Sequence, residues 1–256
     1  MILDEIIATT RKLLETRKAE RPLAELESIC TNQQQPRDAV EALGKPGISL
    51  IAEIKRASPS KGSLAPDLDA VSMAQTYEKS GASAISVLTE TEYFKGSISD
   101  LEAVRQVVDL PILRKDFIVD PYQIWEARAI GADIVLLIAA ALPMEDLTRL
   151  YQTVNELAMT ALIEIHNRQE LEQVLELDPK VIGINNRNLA DFSVSLQTTL
   201  ELLPLIPNNK IVVSESGILT REDVKLLENA GVNAILVGES LVTSVNPAAK
   251  IKGLLE

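Results

Sequence analysis

The spacing of hydrophobic and polar positions along the chain changes near residue 47. Before it, apolar side chains recur at helical spacing and alternate with charged ones, as at Leu3, Ile6, Ile7, Leu13 and Leu14. This pattern predicts one amphipathic helix, and a short helical stretch over 39–43 follows the polar loop 31–36. Glycines and a proline then interrupt the chain at 44–47. We therefore predict a helical N-terminal extension over residues 1–47.

Beyond residue 47, short apolar runs alternate with longer amphipathic segments. The apolar runs predict eight strands, at 50–54, 84–88, 112–114, 134–138, 161–165, 181–184, 211–213 and 234–237. The clearest helical patterns lie between them, at 68–79, 101–108, 122–130, 144–157, 169–177 and 222–230. Strand–helix alternation indicates a parallel sheet, and eight units in about 210 residues are typical of an α/β (β/α)8 TIM barrel.

A doubly wound open sheet is the competing fold. Its first strand normally leads into a glycine-rich turn, and residues 54–57 contain no glycine. The chain has 256 residues, of which 46% are hydrophobic and only 3% aromatic. A core of Ile, Leu, Val and Ala is how the interior of a TIM barrel is usually filled. We expect residues 1–256 to form a single barrel domain that includes the extension.

Net charge, cysteine content and the length of the apolar runs argue against several classes of partner and site. The formal net charge is −12 and no basic cluster exceeds two adjacent residues, which argues against nucleic acid. The lone Cys30 permits no internal disulfide and no cysteine-based metal site, as is usual in a reducing cytoplasm. The longest apolar run, 134–142, is too short for a membrane span, and the N-terminus does not resemble a signal peptide.

Polar residues at the carboxyl ends of the predicted strands are the candidate functional residues, because TIM barrels place their active sites there. Glu53 and Lys55 alternate along the first strand and should share the barrel interior. A structural ion pair is the alternative reading of these two residues. The loop that follows, 56–62, is rich in donors for an anion.

Lys115 follows the third predicted strand, where an exposed, solvated lysine is the alternative reading, and Glu164 interrupts the apolar pattern of the fifth strand. An inward lysine can be a general acid or, with a lowered pKa, a Schiff-base former, and Glu164 is a candidate general acid or base. His166 is the only histidine of the chain, and we expect it to be structural.

The last three strands also end in polar or small residues. Asn185 is a candidate inward group, although asparagines are also common in turns. Ser216-Gly217 and Gly238-Glu239 follow the seventh and eighth strands, where TIM barrels often hold a phosphate on backbone N–H groups. The residues alone therefore predict acid–base chemistry on a phosphorylated small molecule.

Six segments, taken in order, resemble the indole-3-glycerol-phosphate synthases of tryptophan biosynthesis. They are 53–62 (EIKRASPSKG), 113–117 (LRKDF), 162–166 (LIEIH), 183–189 (GINNRNL), 214–218 (SESGI) and 237–241 (VGESL). The resemblance covers nearly the whole chain, including residues 17–23. It implies ring closure, decarboxylation and dehydration of 1-(2-carboxyphenylamino)-1-deoxyribulose 5-phosphate to indole-3-glycerol phosphate, with no cofactor or metal. From the cysteine content we expect a cytoplasmic enzyme, and we also expect a monomer.

The resemblance also implies roles for individual residues. Lys115 matches the proton donor of ring closure, while Glu164 and Lys55 match residues of the dehydration. Glu53 and Glu215 match residues that orient the lysines and the substrate, and Asn185 matches a polar contact near the reacting centre. The substrate- and phosphate-binding set comprises Ser58, Lys61, Phe117, Arg187, Leu189, Ser216, Gly217, Gly238 and Glu239. Arg187 is expected to pair with the carboxylates, whereas Phe117 and Leu189 are expected to line the aromatic pocket.

The sequence departs from the family pattern at three positions, and three rival activities remain as alternatives. Asn188, Asn167 and Ala39 stand where the family often has other residues, and none of them belongs to the catalytic set. The rivals are a phosphoribosylanthranilate isomerase, which would need a cysteine on the first strand, a Schiff-base aldolase, and a catalytically inactive phosphate-binding barrel. Because the substrate is anionic and the chain acidic, we expect positive charge to concentrate at the barrel mouth around Lys55, Lys61 and Lys115.

Overall fold

The computed structural model describes residues 2–256, and its centre is a closed parallel barrel. The first barrel strand, β1 (Ser49–Ile54), is followed by a small antiparallel hairpin of β2 (Ala57–Ser58) and β3 (Gly62–Ser63). The other barrel strands are β4 (Ala84–Leu88), β5 (Ile112–Lys115), β6 (Ile134–Ile138), β7 (Thr160–Ile165), β8 (Val181–Asn185), β9 (Ile211–Glu215) and β10 (Ala234–Val237). Parallel pairing of β1 with β10 closes the ring. This arrangement confirms the TIM barrel and excludes the open sheet.

Helices precede the barrel and connect its strands. The extension contains α1 (Ile2–Glu20), α2 (Leu23–Thr31) and α3 (Ala39–Leu43). The barrel carries α4 (Ala70–Lys79), α5 (Ile98–Arg105), α6 (Pro121–Ala129), α7 (Met144–Glu156), α8 (Arg168–Leu175), α9 (Gln197–Leu202), α10 (Arg221–Ala230), α11 (Glu239–Val242) and α12 (Pro247–Leu255), with 3-10 turns at Ala139–Ala141 and Leu203–Leu205. No helix within residues 2–256 is long and apolar enough to cross a membrane.

Element boundaries differ from the predictions mainly where polar residues continue an element. Strand β9 was predicted to end at 213 but continues through Ser214 and Glu215, whose backbones pair with β8 and β10. Helix α5 starts three residues earlier than predicted because the Ser97 side chain accepts a hydrogen bond from the Asp100 N–H and caps it. The sequence patterns also missed the hairpin, α2, α9, α11 and α12, which are short or weakly periodic.

Two layers of apolar side chains form the core. Alternate strand residues face outward and pack beneath the surrounding helices, while the others fill the barrel with small and branched side chains, including Ile51, Ala84, Leu113, Leu162, Val213 and Leu236. Ala39 and Leu43 of α3 are buried against the first residues of several strands and cover that end of the barrel. The opposite end, where the strands terminate, is left for polar side chains.

The extension is held against α6 by specific contacts. Arg17 Nη1 lies 2.9 Å from Glu126 Oε2, and Lys18 Nζ lies 2.8 Å from Asp120 Oδ2. The Tyr122 hydroxyl donates to the carbonyl oxygens of Arg17 at 3.0 Å and Arg21 at 2.8 Å. These contacts attach the C-terminal end of α1 to α6. The first turns of α1 reach the open end of the barrel.

Candidate active site

A cavity of about 550 Å³ opens at the carboxyl ends of the barrel strands. All fifteen site residues predicted from the sequence line it: Glu53, Lys55, Ser58, Lys61, Lys115, Phe117, Glu164, Asn185, Arg187, Leu189, Glu215, Ser216, Gly217, Gly238 and Glu239. They come from β1, β5, β7, β8, β9 and β10 and from the segments that follow these strands, which include β2 with Ser58 and α11 with Glu239. The parallel barrel therefore brings together residues that are far apart in the sequence.

Lys115 is held between two buried carboxylates. Its Nζ lies 2.9 Å from Glu164 Oε2 and 2.7 Å from Glu215 Oε2. Burial alone would lower the pKa of the lysine, but Glu164, Glu215 and the nearby Glu53 outweigh it and raise the pKa well above its usual range. Lys115 is thus a charged amine in a largely enclosed site.

The two carboxylates that hold Lys115 differ in their acidity. Burial raises the pKa of Glu164, but Lys115 and His166 together lower it below the ordinary value, so that this group is ionised. Burial raises the pKa of Glu215 to about 7, because Lys115 only partly offsets burial and the neighbouring Glu164 and Glu53 carboxylates. The site therefore holds one firmly ionised carboxylate and one that titrates near neutral pH.

Glu53, on β1, and Lys55, directly after β1, form a second charged pair. Lys55 Nζ lies 2.7 Å from Glu53 Oε1, and only 4% of the Glu53 side chain is exposed. Two glycines make room for the carboxylates of this site. A Cβ atom on Gly238 would stand 2.3 Å from Glu53 Oε1, and one on Gly183 would stand 2.4 Å from Glu215 Oε1. Both positions require glycine for close approach.

Asn185 is the last residue of β8 and Arg187 lies two residues further on, and their side chains have different contacts. Asn185 Nδ2 donates to Glu164 Oε1 at 3.1 Å, the carboxylate oxygen that does not contact Lys115. Arg187 lines the cavity, yet its guanidinium donates to the Phe192 carbonyl at 3.4 Å. The expectation that Arg187 pairs with the carboxylates is wrong for this structure, because the loop after β8 folds back and supplies that carbonyl.

The loops after β1, β9 and β10 present polar groups on one side of the cavity. Ser216 and Gly217 have consecutive positive φ values of 68° and 80°, so the chain turns sharply after β9, and the second position suits glycine. The buried hydroxyls of Ser58 and Ser240 make no hydrogen bond within residues 2–256. Lys61 Nζ, 3.8 Å from Glu239 Oε1, is largely exposed at the rim. This side of the cavity offers donors to an anion.

The cavity does not concentrate positive charge as expected. Its basic lining residues are Lys55, Lys61, Lys115 and Arg187, and its acidic ones are Glu53, Asp116, Glu164, Glu215 and Glu239. Lys55, Lys61 and Lys115 lie at the mouth as expected, but the acidic lining residues outnumber the basic ones, so the expected concentration of positive charge is not found there. A buried lysine needs an opposite charge close by, so Lys55 and Lys115 are each accompanied by at least one carboxylate.

Several lining residues were not predicted from the sequence. Phe94, in the loop after β4, lies with its ring centroid 6.0 Å from that of Phe117. Ile2, Leu3 and Ile6 of α1 also line the cavity, which makes the extension part of its wall. The aromatic pair Tyr93-Phe94 soon after a strand end was the available signal for the first group. For α1, no local signal tells which of its apolar residues face a site.

Solved structures with the same architecture are distant in sequence. The 3-hexulose-6-phosphate synthase from Salmonella typhimurium matches with a TM-score of 0.66 at 12% identity, over 81% of this chain and 96% of that one. A thiamine phosphate pyrophosphorylase from Pyrococcus furiosus matches with a TM-score of 0.61 at 15% identity, over 85% and 96% of the two chains. At these identities the likeness concerns the fold alone.

Sequence comparison is far more specific. The family model described as indole-3-glycerol phosphate synthase matches residues 3–254. An indole-3-glycerol phosphate synthase of Dehalococcoides mccartyi is 48% identical over the full length of both chains. That of Alkaliphilus metalliredigens is 45% identical over 99% of this chain and 98% of its own. The chain therefore belongs to the indole-3-glycerol phosphate synthase family.

Proposed function

We propose that Lys115 and Glu164 are the principal acid and base of the reaction that this family carries out. The chain is a carboxy-lyase of tryptophan biosynthesis that forms indole-3-glycerol phosphate from a phosphorylated small molecule. In that reaction the aromatic carbon that bears the carboxylate attacks the ketone of the substrate, carbon dioxide leaves, and loss of water completes the indole. The position of Lys115 between Glu164 and Glu215 carries our assignment of roles.

Ring closure needs a proton on the ketone oxygen as the new carbon–carbon bond forms. Lys115 is suited to donate it, because its raised pKa keeps the amine protonated and its flanking carboxylates hold it in place. The same protonation disfavours the Schiff-base alternative, since only a neutral amine attacks a carbonyl. Cys30 lies on α2, away from β1, which disfavours the isomerase that would need a cysteine on that strand.

Dehydration needs a base for a carbon-bound proton and an acid for the departing hydroxyl. Glu164 is ionised and is assigned as the base, while Lys55, fixed by Glu53, is assigned as the acid. Lys55 is also placed to attract the carboxylate of the substrate before decarboxylation. Asn185 and Glu215 hold Glu164 and Lys115 in their working positions.

Substrate binding is divided between two sides of the cavity. We assign the phosphate to the loops of Ser216, Gly217, Gly238 and Glu239, with Ser58 and Lys61 from the loop after β1. Phe117 and Leu189, with Phe94, supply the apolar wall for the aromatic ring. Arg187 also lines the cavity and is assigned to substrate binding.

The organisation of the protein around this site is also part of the proposal. Because α1 lines the cavity and is tied to α6, residues 1–47 are proposed to belong to the barrel domain. One chain supplies both the charged groups and the apolar wall, so we propose a monomer. With one cysteine and no need for a disulfide, we propose that it works in the cytoplasm.

Incubation of the purified chain with the carboxyphenylamino-deoxyribulose phosphate, followed by indole fluorescence, tests the proposal. We expect Lys115→Ala to lower kcat by about 100-fold or more and Glu164→Gln by a comparable factor, the range typical of general acid–base groups. Lys252→Ala, which changes an exposed lysine on α12, is the control and should match the wild type. Near-normal rates in both site variants would overturn the roles, and binding without turnover in the wild type would favour an inactive phosphate-binding barrel.

A further inference from the structure

His166 lies at the end of β7, outside the substrate cavity but in contact with it through Glu164. Its Nε2 atom is 3.3 Å from Glu164 Oε1, a charge contact that lacks hydrogen-bond geometry, and its Nδ1 atom is 3.1 Å from Glu170 Oε2. Only 10% of the side chain is exposed. The imidazole therefore forms a bridge between a proposed catalytic carboxylate and a carboxylate on α8.

Both ring nitrogens of His166 face carboxylate oxygens, which favours the doubly protonated ring. A neutral imidazole has a single N–H and would direct a lone pair at one of the two carboxylates. Burial would lower the pKa of His166, but Glu164 and Glu170 outweigh it and raise the pKa to about 10. Glu164 from β7 and Glu170 from α8 are the charged groups that face the ring, and Lys115 from β5 faces the other oxygen of Glu164.

The N-terminus of α8 holds this bridge in place. Asn167 caps the helix by accepting the Glu170 N–H at 3.0 Å, and its Nδ2 donates to Glu170 Oε1 at 2.6 Å. The other oxygen of Glu170 accepts the backbone N–H of His166 at 2.7 Å in addition to the ring contact. A reciprocal cap of this kind is rigid, so Glu170 gives the imidazole a fixed support.

We propose that His166 is a positioning residue for Glu164, a fixed cation that keeps this carboxylate ionised and oriented when Lys115 gives up its proton. The inference rests on the proposed function. In ring closure an N–H bond of Lys115 breaks, its electron pair stays on nitrogen, and the proton forms an O–H bond on the substrate. The amine is then neutral, and His166 remains as the cation in contact with Glu164. Without it, Glu164 would tend to take up a proton and lose its function as a base.

Nuclear magnetic resonance tests the ion pairs directly and without turnover, because His166 is the only histidine of the chain. We expect the imidazole carbon signals to titrate at least two pH units above the free-histidine value of about 6.5. Glu164→Gln and Glu170→Gln should each lower that midpoint. Asn246→Ala is the control, because it removes an asparagine cap of the same kind from α12 and should leave the midpoint unchanged. A wild-type midpoint at or below about 6.5 overturns the proposal.

Kinetic measurements on a His166 variant then distinguish a positioning role of this residue from a purely structural one. His166→Gln keeps a hydrogen-bond donor but removes the charge. We expect it to lower kcat about 10-fold, leave KM within about two-fold, and move the acidic limb of the kcat–pH profile to higher pH. An unmoved limb, even with reduced thermal stability, overturns the proposal. Absence of indole formation by the wild type would instead count against the proposed function, and the titration would still decide whether the ion pairs exist.

Discussion

Gly238 and Glu53 are packed so closely that residue 238 has no room for a side chain. A Cβ atom there would stand 2.3 Å from Glu53 Oε1 and 3.0 Å from Glu53 Cβ. Glu53 is buried and bound to Lys55, so it cannot move aside without breaking that pair. We expect Gly238→Ala to displace the carboxylate and lower kcat/KM by about 10- to 100-fold, or about 1.4–2.7 kcal/mol of transition-state stabilisation.

Steady-state assays of indole formation check this prediction, with Gly253→Ala as the matched control. A Cβ atom on Gly253, in α12, would meet nothing within 4 Å. That substitution should therefore leave activity unchanged and add slightly to stability, because alanine favours a helix. Equal activity of the two variants would contradict the steric argument.

The Gly238–Glu53 contact illustrates what the sequence can and cannot predict. Strand alternation was enough to place Glu53, Lys55, Lys115 and Glu164 inside the barrel, because the period of two is a local property. It did not predict that Lys115 pairs with Glu215, since that contact joins residues 100 positions apart and depends on barrel closure. Gly238 was assigned to phosphate binding, and its packing against Glu53 depends on the pairing of β10 with β1.

Loops and the extension were the least predictable parts of the site. The contact of Arg187 with the Phe192 carbonyl follows from the path of the loop after β8, for which the sequence has no periodic signal. Phe94 lies in the loop after β4 and likewise has no periodic signal, whereas Ile6 was missed because helical spacing shows an apolar face but not its partner. Tertiary packing decides these contacts, and local pattern does not.

Glu215 should make stability depend on pH in an unusual direction. Its folded pKa of about 7 lies above the unfolded value, so between about pH 4.5 and 7 the native state holds the additional proton. Stability from this group is therefore lost as the pH rises through that window. We expect the free energy of unfolding of the wild type, minus that of Glu215→Gln, to fall between pH 5 and pH 7.5. The change should be on the order of 1–3 kcal/mol, at about 1.4 kcal/mol per pKa unit.

Denaturant unfolding at several pH values measures that difference. Glu201→Gln, which removes an exposed carboxylate on α9, serves as the control for the loss of one negative charge outside the site. A difference for Glu215→Gln that rises with pH would mean that Lys115 dominates the ionisation of Glu215.

Arg114 is the most buried charge in the described part of the chain and should be costly to remove. Its side chain is 0% exposed, and its Nη2 lies 3.0 Å from Asp116 Oδ2 and 2.8 Å from Glu126 Oε2. Arg114→Met would leave two buried carboxylates without their shared cation, which we expect to cost about 3–5 kcal/mol in the free energy of unfolding. Lys252→Ala breaks an exposed pair with Glu256 and should cost less than about 1 kcal/mol. Chemical denaturation compares the two, and similar losses would contradict the burial argument.

Ile6 connects the extension to substrate binding, and its substitution should affect affinity more than chemistry. Ile6 is buried, lines the cavity and carries no group that can transfer a proton. Ile6→Ser removes apolar contact worth about 1–2 kcal/mol, at about 25 cal/mol per Å² of buried surface, so we expect KM to rise about 5- to 30-fold with kcat within a few-fold. Leu13→Ser, on the same helix but 37% exposed and outside the cavity lining, should leave both parameters near the wild type. A fall in kcat at constant KM would assign α1 to the chemical step instead of the binding wall.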